Sequence, residues 1–141
     1  MKTHLFDASS IMQLAKRHPD KASTLLEGEL ILDLTKYEVG NAIWKIYKLI
    51  EKTDKSTALE AVTQAYHMIA LMEVIKVEDV EALASTMEIA FDEGLSFYDS
   101  AYLQSAKKLG LTLVTEDKRL SKRAVDVGVT CIQIDDLKHE P

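Results

Sequence analysis

Short apolar runs that end in an acid alternate along this chain with longer stretches of helical periodicity, and that alternation leaves few folds open. "HLFD" closes on Asp7, "ELILD" on Asp33, and "LTLVTED" on Glu116 and Asp117. Runs this short and this apolar suit strands covered on both faces, which parallel sheets with helical crossovers provide. Strands are expected over about Thr3 to Phe6, Glu29 to Asp33, Leu111 to Thr115 and Val129 to Ile134, with a shorter one at Val74 to Val77. The spacing of Val39, Ile43, Ile46 and Ile50 predicts a helix that turns those side chains to a core. Ala58, Val62, Ala65, Ile69 and Met72 repeat the rhythm after a break at Thr53, Asp54 and Lys55. Asp79 is set to cap a helix through Val80, Leu83, Met87 and Ala90 that Gly94 stops, and Ser96 and Gly110 bound the next. Further helices are expected after Asp7 and from Asp117 to about Val125. The expected fold is α/β: a three-layer α/β/α arrangement around a mostly parallel central sheet.

The chain has 141 residues, only two prolines and no Ser/Gly-rich linker, so a single domain over 1–141 is expected. Hydrophobic residues at 47% against 28% charged exclude a disordered chain. No apolar run approaches the roughly 20 residues of a membrane span. The beginning, "MKTHLFDASS", has no apolar stretch of signal-peptide length. The single cysteine, Cys131 in "VTCIQI", reads as a small core hydrophobe in a reducing compartment. A cytoplasmic protein is expected. The net charge of −6 excludes a protein that coats nucleic acid through bulk positive charge, but leaves nucleic acid open as a local substrate.

In a parallel sheet the ligand site lies beyond the carboxyl ends of the strands. Four acids fall there. Asp7 ends the first strand, Glu38 lies in the first turn after the second, Asp99 starts the helix leading to Leu113, and Asp117 follows that strand. Carboxylates crowded at one edge must take up protons or share a cation. Oxygen donors of this kind suit Mg²⁺ or Mn²⁺, whereas the four histidines show no zinc-ligand spacing. Each acid also fits as a helix cap. Thr35 with Glu38, and Ser96 with Asp99, match capping boxes, and Asp7 and Asp117 (or Glu116) precede helices. Ser9, Asn41 and Thr115 stand where they would support the acids, with simple capping open for the hydroxyls. Lys45, Lys118 and Arg119 fit a track for RNA phosphates, and equally a solvated face. Trp44, Tyr37 and Tyr47 read as core or a subunit contact.

With "LFDASS", "KYEVGN", "LSFYDSAYL" and "LVTEDKRL" in that order, the sequence resembles PIN domains, more narrowly the VapC-type ribonuclease toxins of prokaryotic toxin–antitoxin pairs. The resemblance covers essentially the whole chain. It implies that Asp7, Glu38, Asp99 and Asp117 form the family's acidic quartet, with Asp7 and Asp99 as central metal ligands. It further implies Mg²⁺- or Mn²⁺-dependent endonucleolytic cleavage of RNA, a homodimer, and inhibition by a cognate VapB-like antitoxin. The acidic net charge departs from what an RNA-binding surface wants, so affinity has to come from local patches or from the dimer. An inactive PIN fold serving as an RNA- or protein-binding scaffold is the alternative, but it needs none of the four acids. Aspartyl-phosphate enzymes of the haloacid dehalogenase type want an acid where Ser9 stands, and receiver domains want paired acids that "FDASS" lacks.

Overall fold

The computed structural model describes residues 3–139, so positions 1, 2, 140 and 141 of the expected 1–141 domain lie outside it. The strands are β1 (His4–Phe6), β2 (Leu30–Leu32), β3 (Glu73–Ile75), β4 (Thr112–Val114) and β5 (Cys131–Ile132). The helices are α1 (Ala8–Arg17), α2 (Ala22–Leu26), α3 (Thr35–Trp44), α4 (Lys55–Ile69), α5 (Val80–Glu93), α6 (Phe97–Leu109) and α7 (Lys118–Val127). A π-helical turn, Lys45–Ile50, continues α3, and a 3₁₀ turn, Ile134–His139, follows β5.

The strands pair in the order β3-β2-β1-β4-β5, and every pairing is parallel. The chain steps outward from β1 to β2 and β3, then crosses back to build β4 and β5 on the other side of β1. Strand order therefore reverses between β1 and β4, which opens a crevice at their carboxyl ends. Alternation along each strand builds two cores. Phe6, Ile31 and Val114 face α1 to α4 with Ile11, Leu14, Val39 and Ile43. Leu5, Leu32 and Leu113 face the other way, onto Leu103, Ala106, Leu120 and Ala124 of α6 and α7. Each such fully buried large side chain contributes about 1.5–3 kcal/mol. The result is the expected three-layer α/β/α fold, with an entirely parallel sheet. Among the described residues no helix is long and apolar enough to cross a membrane.

Helix ends follow local chemistry. Asp79 accepts from Ala82 N at 2.7 Å, and Gly94 closes α5 at φ 66°, a left-handed position where a side chain would be strained. Three expectations change. The core stripe of α3 stops after Ile43: Ile46 is only half-buried and Ile50 is 67% exposed. The cause is the π turn, where Glu51 N donates to Ile46 O five residues back and rotates the stripe off the core. On α5 it is Ala82 and Thr86 that are buried, while Val80 (80% exposed), Leu83 and Met87 point outward. Short side chains let α5 lie close to α6, and the larger residues fall on its outer face. Finally, β5 shortens to Cys131–Ile132, because Asp136 and Glu116 capture the amides of Gln133 and Ile134. Helix α2, in "ASTLL", is an addition that apolar spacing over so few residues does not announce.

Candidate active site

The crevice between β1 and β4 carries a polar network that joins the two strand ends. Asp7 leaves β1 buried, its amide bonded to Val114 O at 3.2 Å. Its Oδ1 accepts from Ser10 N at 2.9 Å, capping α1, and from the Ser9 hydroxyl at 2.8 Å. Its Oδ2 accepts from the Thr115 hydroxyl, which leaves β4. The Thr115 oxygen in turn accepts from Asp117 N at 3.1 Å, and the Ser9 oxygen from Glu116 N at 3.1 Å. Two hydroxyls thus stitch the adjacent strand ends together and fix the Asp7 carboxylate from both sides.

Asp117 caps α7, its Oδ1 accepting from Arg119 N at 2.9 Å and Leu120 N at 3.1 Å. Glu38 behaves differently. The Thr35 capping box does not form: α3 starts without a side-chain cap, and Thr35 Oγ1 instead accepts from Leu32 N at 3.1 Å. Glu38 is left to receive the hydroxyl of the buried Tyr102 at 2.6 Å. At α6 the Ser96 hydroxyl oxygen accepts from Asp99 N at 3.0 Å, and the Asp99 carboxylate remains half-buried.

Electrostatics link the four acids. Burial raises the Asp7 carboxyl above its usual range against the pull of its hydrogen bonds. Burial also raises Glu38, opposed by the Tyr102 bond, with repulsion from Asp99 and Asp7 adding to the rise. Asp99 is raised by burial and then by Asp117. Yet among the described residues no three His, Cys, Asp or Glu side chains gather closely enough to enclose one ion as they lie. Asp7 and Asp117 are at the same time the N-caps of α1 and α7. The donor set is all carboxylate and hydroxyl oxygen under mutual repulsion, which fits a hard divalent cation and not a soft metal.

Two of the four acids, Glu38 and Asp117, open onto a cleft of about 830 Å³. Ser9, Glu38, Asn41, Lys45, Asp117 and Lys118 line it. Asp7 and Thr115 sit behind Ser9, bonded to it. Asp99 does not line the cleft; it lies on the Asp117 and Glu38 side, where its charge is felt. Arg119 does not line the cleft; it donates to Gly94 O at the end of α5, with its charge still felt at Asp99. Residues the sequence did not single out complete the walls. Arg17 lines the cleft, paired with Glu116 and with Asp135 at 3.4 Å. These partners lie far apart in sequence, so local pattern holds no trace of them. Tyr37 and Trp44 are 72% and 52% exposed, which removes the core reading for both. The Cys131 thiol is pushed up to about 11 by burial and is inert at neutral pH, as a core hydrophobe should be.

The raised carboxyls make a stability prediction. The folded chain holds protons that the unfolded chain releases near 3.8 for Asp7 and Asp99 and near 4.5 for Glu38. Their contribution is therefore full below those values and is lost as pH climbs through the raised folded ones. Asp54 and Asp79 have lowered carboxyls, so their contribution is already complete above 3.8. In chelator, the melting temperature should fall as pH rises above about 4.5. Asp99→Asn should flatten that fall and melt higher than the parent at pH 7, because it removes a carboxyl raised by burial and by Asp117. A lower melting temperature for the variant at pH 7 would mean that Asp99 is a structural cap.

A family model described as the PIN domain matches residues 5–126. Exonuclease VapC9 of Pyrobaculum aerophilum is 35% identical over 134 residues, 93% of this chain and 95% of the relative. Ribonuclease VapC3 of the same organism is 32% identical over 95 residues, 65% of this chain and 68% of the relative. The crystal structure of PAE2754 from Pyrobaculum aerophilum superposes with a TM-score of 0.79 at 30% identity, covering 99% of this chain and 97% of that one.

Proposed function

The chain belongs to the PIN domain family, and from that premise we propose that it is a VapC-like toxin, a single-domain ribonuclease that uses Mg²⁺ or Mn²⁺. The observation that carries this reading is the pair of strand ends at the β1/β4 switch. There Ser9 and Thr115 hold Asp7 from both sides, and the charges of Asp7, Glu38, Asp99 and Asp117 are felt among one another, with Glu38 carried by α3 and Asp99 by α6. A scaffold that only binds gains nothing from concentrating charge that its own fold must tolerate.

Asp7 and Asp99 would hold the ion, with Glu38 and Asp117 completing its surroundings directly or through water. When bound, such an ion supplies positive charge for the developing negative charge of a phosphodiester and acidifies a nearby water for attack. The chain's own residues supply position. Ser9 and Thr115 fix Asp7, and Asn41 faces the cleft one turn beyond Glu38. Lys45 and Lys118 offer ammonium groups to backbone phosphates on either side of the acids. Arg119, tied to Gly94, is the weakest of the proposed RNA contacts.

RNA is the proposed substrate and cleavage within the strand the proposed outcome, although one relative carries the name exonuclease. Circular RNA separates the two, since it has no ends. Incubated with the protein and Mn²⁺, a circular transcript should be opened to linear fragments. A circle left intact while a linear RNA of the same sequence is degraded would make the enzyme end-directed. Intact circle and intact linear RNA together would leave the binding scaffold.

The proposed partners are a VapB-like antitoxin and a second copy of the chain, in the cytoplasm. The outward stripe of Val80, Leu83, Met87 and Phe91 on α5 is the apolar surface that a second copy would cover, with Phe91 83% exposed. Phe91→Glu should convert a dimer to a monomer in analytical ultracentrifugation. A variant that sediments like the parent dimer would exclude this face.

A further inference from the structure

We infer that Tyr102 is a positioning residue: with Thr35 it forms a buried hydroxyl chain that aims Glu38 at the other acids. The chain has a direction. A carboxylate only accepts, so the Tyr102 hydroxyl must donate its one proton to Glu38 Oε1, at 2.6 Å. The Thr35 hydroxyl, 2.7 Å from the Tyr102 oxygen, must then donate to it. Thr35 Oγ1 in turn accepts from Leu32 N at the end of β2, at 3.1 Å. Leu32 N–H, Thr35 O–H and Tyr102 O–H thus donate in series toward one carboxylate, and each bond polarises the next. The chain is rooted in the rigid sheet and sealed from water, for Thr35 is fully buried and Tyr102 is 1% exposed.

The same atoms explain the absent capping box. Thr35 and Glu38 have the sequence of a helix-start device, but both side chains are spent elsewhere: Thr35 on the strand end and Tyr102, Glu38 on Tyr102. A glutamate bonded back to its own helix would point along α3. Held by α6 instead, it points across the crevice toward Asp99 and Asp7, whose charges it feels.

This inference rests on the metal-dependent reading and is tested without RNA. The probe is Mn²⁺, titrated into the metal-free full chain while the electron paramagnetic resonance signal of free Mn²⁺ is followed. Tyr102→Phe removes one oxygen and should weaken binding about tenfold, and Thr35→Val should weaken it in the same direction. Thr35→Ser, which keeps the hydroxyl, should bind like the parent. In a Glu38→Gln background, Tyr102→Phe should cost little more, because its effect runs through that carboxylate. Parent-like binding by Tyr102→Phe, or an equal loss in the Glu38→Gln background, overturns the inference while leaving the metal site standing. If Tyr102→Phe fails to fold, the Thr35 pair decides: serine like the parent with valine weakened supports the chain, and valine like the parent overturns it. A parent that binds no Mn²⁺ overturns the functional reading and this inference with it.

Discussion

Asp7→Asn protein is expected to stay folded and to lose RNA cleavage by about 10³-fold or more. Asparagine keeps the amide oxygen that accepts from Ser10 N and Ser9, and it is as good a helix cap as aspartate. It also removes a carboxylate whose burial already pushes it toward the protonated form. Folding therefore has little to lose. Catalysis loses an anionic ligand at the centre of the site, and stabilisation of about 4 kcal/mol in the transition state corresponds to about 10³ in rate. Single-turnover cleavage beside a thermal melt checks both halves. Unreduced cleavage would move the chemistry away from β1.

Stripping divalent ions with EDTA should silence cleavage entirely, and excess Mn²⁺ or Mg²⁺ should restore it. Among the described residues the Cys131 thiol is raised to about 11 by burial, and no histidine lines the crevice to activate a hydroxyl in the ion's place. The ion should also raise the melting temperature, since a ligand at about 100 times its Kd adds about 2.7 kcal/mol to the folded state. That rise should shrink in Asp99→Asn. Cleavage at full rate in EDTA would contradict the account of why these acids repel one another.

Much of the architecture is legible because short apolar runs bounded by helical periodicity leave little besides a parallel sheet. The positions of the acids at strand ends and helix starts are legible too, because a parallel sheet puts such positions on one edge. What periodicity misreads is facing. Val80, Leu83 and Met87 have the spacing of a core stripe, yet small Ala82 and Thr86 are what α5 buries against its neighbour. Ile50 has core spacing as well, but the π turn that ends on it adds about a residue per turn and leaves it outside. At the site, the pattern Thr35-x-x-Glu38 names a local cap, and only a tyrosine 64 residues away redirects both side chains. Arg17 and Glu116, 99 residues apart, pair for reasons no window of sequence contains.

Crystals grown with Mn²⁺ and measured at a wavelength where manganese scatters anomalously test the central claim most directly. The account predicts an anomalous peak at the carboxyl ends of β1 and β4, with oxygens of at least two of Asp7, Glu38, Asp99 and Asp117 about 2.0–2.2 Å away. Clear density for the four carboxylates with no peak between them, or a peak held by other residues such as Glu116 and Asp135, would contradict it.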